Sequence, residues 1–92
     1  MNKEEFMSMA DSLRKEIGRW QLVIGEEYFD DFSMGCFYDQ EDGKWKVFIN
    51  RERDWHYIRL STESEEEAFG ELLSMVNFER ELQRRFIKMN GV

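Results

Sequence analysis

The 92-residue chain predicts an α+β fold in the order α-β-β-β-α. Three observations carry that expectation. An apolar stripe of helical period runs from Phe6 to Trp20. Alternating apolar and polar residues flank an Asp-Gly turn between Met34 and Leu60. A second, longer helical stripe runs from Ala68 to Met89 behind a run of glutamates.

The first helix is expected over residues 3 to about 18. Asn2 caps it, and Glu5 completes a capping-box spacing. Phe6, Ala10, Leu13, Ile17 and Trp20 recur at steps of four and three, which places them on one face. Gly18 is one stop signal. Gly25 is another, because Ile24 extends the same spacing. Residues 25 to 33 mix acids and aromatics without a clean period and read as a loop or a short irregular element.

Residues 34 to 61 read as a three-stranded antiparallel meander. The first turn, Gln40 to Gly43, puts Asp39 opposite Lys44, Tyr38 opposite Trp45, and Cys36 opposite Val47. The second turn, Arg51 to Asp54, puts Ile49 opposite His56, Val47 opposite Ile58, and Trp45 opposite Leu60. In this register Met34, Cys36, Tyr38, Trp45, Val47, Ile49, Ile58 and Leu60 share the core face with His56. Phe37, Phe48, Trp55 and Tyr57 point to the opposite face, among Lys44, Lys46 and Arg59. That face is either an exposed aromatic patch of the kind that marks interfaces, or is covered by the first helix or residues 20 to 33.

The second helix is expected from 64 to about 89. Its cap is Thr62 with Glu65 or Ser64 with Glu67. Glu63, Glu65, Glu66 and Glu67 lie at the positive end of its dipole, and Arg84, Arg85 and Lys88 at the negative end, with Asn90-Gly91 as the stop. A helix of that length spans about 39 Å. It therefore overhangs a small sheet, bends near Asn77, or packs on a second copy. The simplest architecture lays both helices on one face of the sheet.

Composition narrows the function. A chain this long makes one domain, and 15% aromatic residues argue against disorder. The net charge of −7 disfavours nucleic acid and anionic membrane surfaces, both of which need clustered Lys and Arg. It suits a basic protein partner, and it also serves solubility alone. One cysteine, Cys36, allows no internal disulfide. With no apolar run near 18 residues and no signal-peptide pattern, the expected compartment is the cytoplasm.

Catalysis and metal binding find little support. His56 is the only histidine, and Cys36 is separated from it by a strand in the expected register. One Cys and one His do not make a structural zinc site. There is no Gly-rich phosphate loop, and Asp39 to Gly43 lacks the ligand spacing of an EF-hand. No cofactor is expected. The informative feature is charge. Glu26, Glu27, Asp30, Asp31, Asp39, Glu41 and Asp42 fall between Arg19 and Lys44 with no Lys or Arg among them. The first four interleave with Tyr28, Phe29 and Phe32. Acids beside aromatics supply a steering charge and an anchor, which suits contact with a basic partner. The other reading is that Phe29 and Phe32 plug the edge of the domain. The expected partner-binding residues are thus Glu26, Glu27, Tyr28, Asp30, Asp31 and Phe32, with Phe37, Phe48, Trp55 and Tyr57 of the outer face.

The stretch Gly43 to Arg53 (GKWKVFINRER), a leucine at Leu60, and Ser64 to Leu73 (SEEEAFGELL) resemble the small immunity proteins of bacterial polymorphic toxin systems. Trp45, Val47, Glu52 and Arg53 match a strand-and-turn pattern of that group. Ser64, Glu65, Glu67, Ala68, Leu72 and Leu73 match a helix start. The similarity spans about residues 35 to 76. Asp54 stands where the turn often has Gly, and Phe78 to Val92 lie outside the match. The resemblance implies a cytoplasmic bacterial protein that binds and neutralises a cognate toxin domain, often a basic nuclease. Two other readings are a homodimeric interaction or regulatory module built on the long C-terminal helix, and a small enzyme using His56.

Overall fold

A computed structural model describes residues 1–52 and 55–89. The element order is α1 (Lys3–Arg14), β1 (Gln21–Ile24), β2 (Ser33–Asp39), β3 (Lys44–Asn50), β4 (His56–Thr62) and α2 (Glu65–Met89). The fold class is α+β. The sheet, however, is four-stranded and mixed, in the order β1-β2-β3-β4, and not a three-stranded antiparallel meander.

The added strand is β1, which runs parallel to β2 with Leu22 beside Met34 and Ile24 beside Cys36. Helix α1 begins as its capping box dictates: Asn2 Oδ1 accepts from the Glu5 amide, and Glu5 reaches back to the Asn2 amide. It ends at Arg14, one turn before Gly18. Ile17 and Trp20 remain buried, so the helical spacing of apolar residues outlasts the helix itself. The chain instead turns through Gly18, at φ +61, into β1. Two contacts hold this reversal. Arg14 donates from Nη2 to the Leu22 carbonyl at 2.9 Å. Arg80 Nε of α2 lies 2.6 Å from Glu16 Oε2, out of line with the N–H direction and so an ion pair without a hydrogen bond.

The β2–β3 hairpin has the expected register throughout, from Asp39 opposite Lys44 to Met34 opposite Ile49. Its turn is fixed by Gly43, at φ +70, whose amide donates to the Asp39 carbonyl. Lys46 closes on Asp42 at 2.7 Å, which holds the Asp42 carboxyl below its ordinary range.

The β3–β4 register departs from expectation. Trp45 pairs with Thr62 and Val47 with Leu60, but Phe48 pairs with Ile58, so a bulge absorbs Arg59. Beyond it Ile49 pairs with Tyr57 and Asn50 with His56. A one-residue shift exchanges faces. His56 and Ile58 therefore lie on the outer face, and Tyr57 shares the helix-bearing face with Ile49. Arg53 and Asp54 of the turn, and the stop at Asn90-Gly91, lie outside the described residues.

Both helices pack on one face. Helix α1 covers β1 and leans on α2, which crosses β2, β3 and β4. Phe6, Ile17, Met34, Val47, Phe69 and Leu72 are fully buried between the layers. Ser64 caps α2 by accepting from the Glu67 amide, while its own amide donates to Thr62 Oγ1. Helix α2, with 25 residues and a length of about 37 Å, is the longest element of a molecule measuring 48 × 31 × 17 Å.

Candidate protein-binding surface

The two parallel strands β1 and β2 are joined by residues 25–32, fewer than the dozen usual for such a crossover. The link stays short because it crosses the outer face of the sheet with no helix. Gly25, at φ +102, still donates to the Cys36 carbonyl, so the ladder continues into the loop. At the far end Gln21 donates to the Phe32 carbonyl at 2.8 Å.

A polar cluster anchors the middle of the loop. Asn50, 1% exposed, donates from Nδ2 to the Tyr28 carbonyl at 2.6 Å and to Ser33 Oγ at 2.8 Å. Those two donations fix the amide, so its Oδ1 faces His56 Nδ1 at 2.6 Å. Glu27 Oε2 lies 2.9 Å from the other ring nitrogen. Both neighbours accept, so the imidazolium form donates to each and a neutral ring to one. Phe29 lies 4.3 Å from the His56 ring, centroid to centroid, and Phe48 lies 5.6 Å from it. The Phe29 ring is thereby held in place while 58% of its surface stays exposed.

The end of the loop is strained. Phe32 has φ +56, a left-handed conformation costing a phenylalanine about 1–2 kcal/mol. Its ring is clamped by the Arg19 guanidinium, 3.7 Å from the centroid, and by the edge of Trp20 at 5.7 Å. Tyr28 donates its hydroxyl to Asp30 at 2.8 Å, and that bond to a carboxylate raises the phenol above its ordinary pKa. Glu26, Glu27, Asp30 and Asp31 all remain exposed. The result is a ledge that presents the exposed Phe29 ring on a segment carrying four exposed carboxylates.

The ten residues singled out in the sequence fall into three places. Glu26, Glu27, Tyr28, Asp30, Asp31 and Phe32 form the ledge. Phe37 and Phe48 are buried on the outer face, which is thus covered at that position and not an open aromatic patch. Trp55 and Tyr57, 65% and 56% exposed, lie at the start of β4, with Tyr57 on the helix-bearing side. Sequence reading missed Asn50, Ser33 and Arg19, which hold the ledge. The available signal was a small polar pair, Ser33 and Asn50, on a strand face otherwise lined with phenylalanines.

Cys36 and His56 are on opposite faces of the sheet. Cys36 is fully buried, and burial, with Glu65 adding to it and Lys3 opposing, pushes its thiol up to about 12 from an ordinary 9.0. At neutral pH it is a packed thiol, not a thiolate nucleophile. The folded pKa lies above the unfolded one, so this contribution to stability is intact below pH 9 and is lost as pH climbs from 9 toward 12. Between those limits the unfolding free energy of the wild type should fall faster than that of Cys36→Ala, by up to about 1.4 kcal/mol per pH unit. Urea titrations at stepped pH read this difference, and parallel curves would contradict it.

No described helix is long and apolar enough to cross a membrane. Comparison of the chain with family models, curated proteins and solved structures returned no match.

Proposed function

We propose that this chain acts by binding another protein, without catalysis, and that its partner is a basic toxin domain neutralised in the bacterial cytoplasm. The observation that carries the binding role is the ledge at residues 26–32. Phe29 is mostly exposed, yet it is braced by the His56 ring, which lies between Asn50 Oδ1 at 2.6 Å and Glu27 Oε2 at 2.9 Å. An exposed aromatic held rigid loses little conformational freedom on binding, as an interface anchor requires. The four carboxylates around it speed the approach of a basic surface. The toxin assignment is what the immunity-protein resemblance over residues 35 to 76 implies. The acidic net charge supports it.

The test substitutes charge while keeping shape, with Glu26→Gln, Glu27→Gln, Asp30→Asn and Asp31→Asn together. The probe is a toxin domain from a reading frame adjacent to this chain's gene, and the lack of any such frame counts against the toxin reading. Association is followed by stopped-flow over a range of salt. Association should slow by about ten-fold or more at low salt, and its salt dependence should flatten. An unchanged rate and salt slope would sink the role of the ledge. No association of the wild type with that domain would sink the toxin reading.

A further inference from the structure

The helical layer leaves part of the sheet bare. Helix α2 crosses the sheet, but on its β4 side a groove of about 390 Å³ runs between it and the strands. Met34, Ile49 and Met75 lie along it, and Arg59, Glu71 and Phe78 flank it. Phe78 is 62% exposed and Leu82 40% exposed, on a helix whose opposite side carries the fully buried Phe69 and Val76.

The charge order along this side of α2 selects the occupant. At 100° per residue, Glu71, Ser74, Phe78, Leu82 and Arg85 all fall within about 40° of Phe78. None of the five is buried. The stripe reads acid, polar, aromatic, aliphatic, base. Glu71 and Arg85 are each seven positions from Phe78, on opposite sides of it. A second α2 laid antiparallel over Phe78 therefore meets Glu71 with Arg85 twice. A parallel helix would set Glu71 against Glu71 and Arg85 against Arg85. Arg85 has no acidic partner within 4.0 Å among the described residues, and the Glu71 side chain, 32% exposed, pairs within its own chain with Arg59, Nε to Oε1 at 3.3 Å.

We propose that the chain forms a twofold homodimer in which α2 packs antiparallel on α2 of a second copy, centred on Phe78, with Glu71 of each copy paired to Arg85 of the other. The contact is isologous, so it closes at two copies. It extends the helical layer over the uncovered end of β4 and buries Phe78 and Leu82. It does not rest on the ledge or its partner, which lie on the outer face.

Sedimentation equilibrium of the intact chain, from about 1 to 200 µM, should show the mass rising from 11.2 kDa toward twice that value. Phe78→Asp should weaken the dimer at least about ten-fold, with a thermal melt unchanged at protein concentrations low enough for the wild type to be monomeric, since the ring is exposed in the single copy. Glu71→Arg and Arg85→Glu should each weaken it alone, because each sets like charges together. Mixed in equal amounts, the two variants should associate again, since the mixed pair restores both contacts. A wild type that stays at 11.2 kDa throughout overturns the proposal. So does a dimer that survives Phe78→Asp, or a mixture of the two charge variants no more associated than either one.

Discussion

Gly35→Ala is expected to destabilise the fold by about 3 kcal/mol or more, at the upper end of what overpacking produces. Gly35 sits in β2 between the β1 backbone and the Phe48 ring. A methyl group there would lie 1.9 Å from the Val23 carbonyl oxygen and 2.8 Å from Phe48 Cζ. Ordinary contacts begin about 1.5 Å farther out than the first of these, and neither neighbour yields easily. The Val23 oxygen is main chain. The Phe48 ring is fully buried and packed against Phe37 and His56. Relief requires β1 to move away from β2, the only strand it pairs with, and the loop that follows β1 would move with it. The variant should therefore lose both cooperative unfolding at the wild-type midpoint and the ordered ledge. Gly70→Ala is the matched control. Gly70 is inside α2 with nothing within 4 Å of the added carbon, so the change should stabilise by about 0.5–1 kcal/mol through helix propensity. If the two alanine variants unfold at the same urea concentration, the close approach at Gly35 is wrong.

Asn50→Ala is expected to destabilise by about 2–3 kcal/mol and to loosen the ledge as well. The amide is buried and has three protein partners: the Tyr28 carbonyl, Ser33 Oγ and His56 Nδ1. Truncation leaves each of them short of a bond, Ser33 Oγ in a fully buried position and the other two in part-buried ones, and a buried polar group left unmade costs more than the bond itself contributes. The effect on the ledge separates this residue from ordinary core. Tyr28 loses its tie to β3, and His56 loses the contact that orients it beneath Phe29. Amide exchange of residues 26–32 should quicken well beyond what the global loss of stability explains. Leu72→Ala, in the core between the layers, should cost a comparable free energy and leave loop exchange tracking global unfolding. Equal exchange behaviour in the two variants would remove Asn50 from its anchoring role.

These two positions show where sequence reading reached and where it stopped. The β2–β3 hairpin was legible because an Asp-Gly turn fixes a register and strand alternation confirms it. The second hairpin was not. The alternation of Ile49, Val47 and Trp45 against His56, Ile58 and Leu60 was sound as a pattern, but the bulge at Arg59 shifts the pairing on either side of it. A bulge leaves no mark in hydrophobic period when the residues around it are amphipathic, as Tyr57, Arg59 and His56 are. Strand β1 was missed for a related reason. Ile24 continues the spacing of the helical stripe that ends at Trp20, and a strand of four residues is too short to declare its own period. The acidic loop was recognised, but the polar residues that hold it were not, because their value depends on a contact between positions 22 residues apart.

The amino-acid order on its own determined that this is an α+β chain with two capped amphipathic helices and a tight central hairpin. It also determined that acids and aromatics concentrate between Glu26 and Phe32. Those are local matters, set by side-chain periodicity, capping chemistry and turn stereochemistry within a few residues. Tertiary structure alone decided that β1 joins the sheet in parallel, that the loop crosses the outer face, and that His56 lies beneath Phe29 and not in the core. Each of those follows from long-range burial, which chooses among arrangements that local preferences leave nearly equal in free energy.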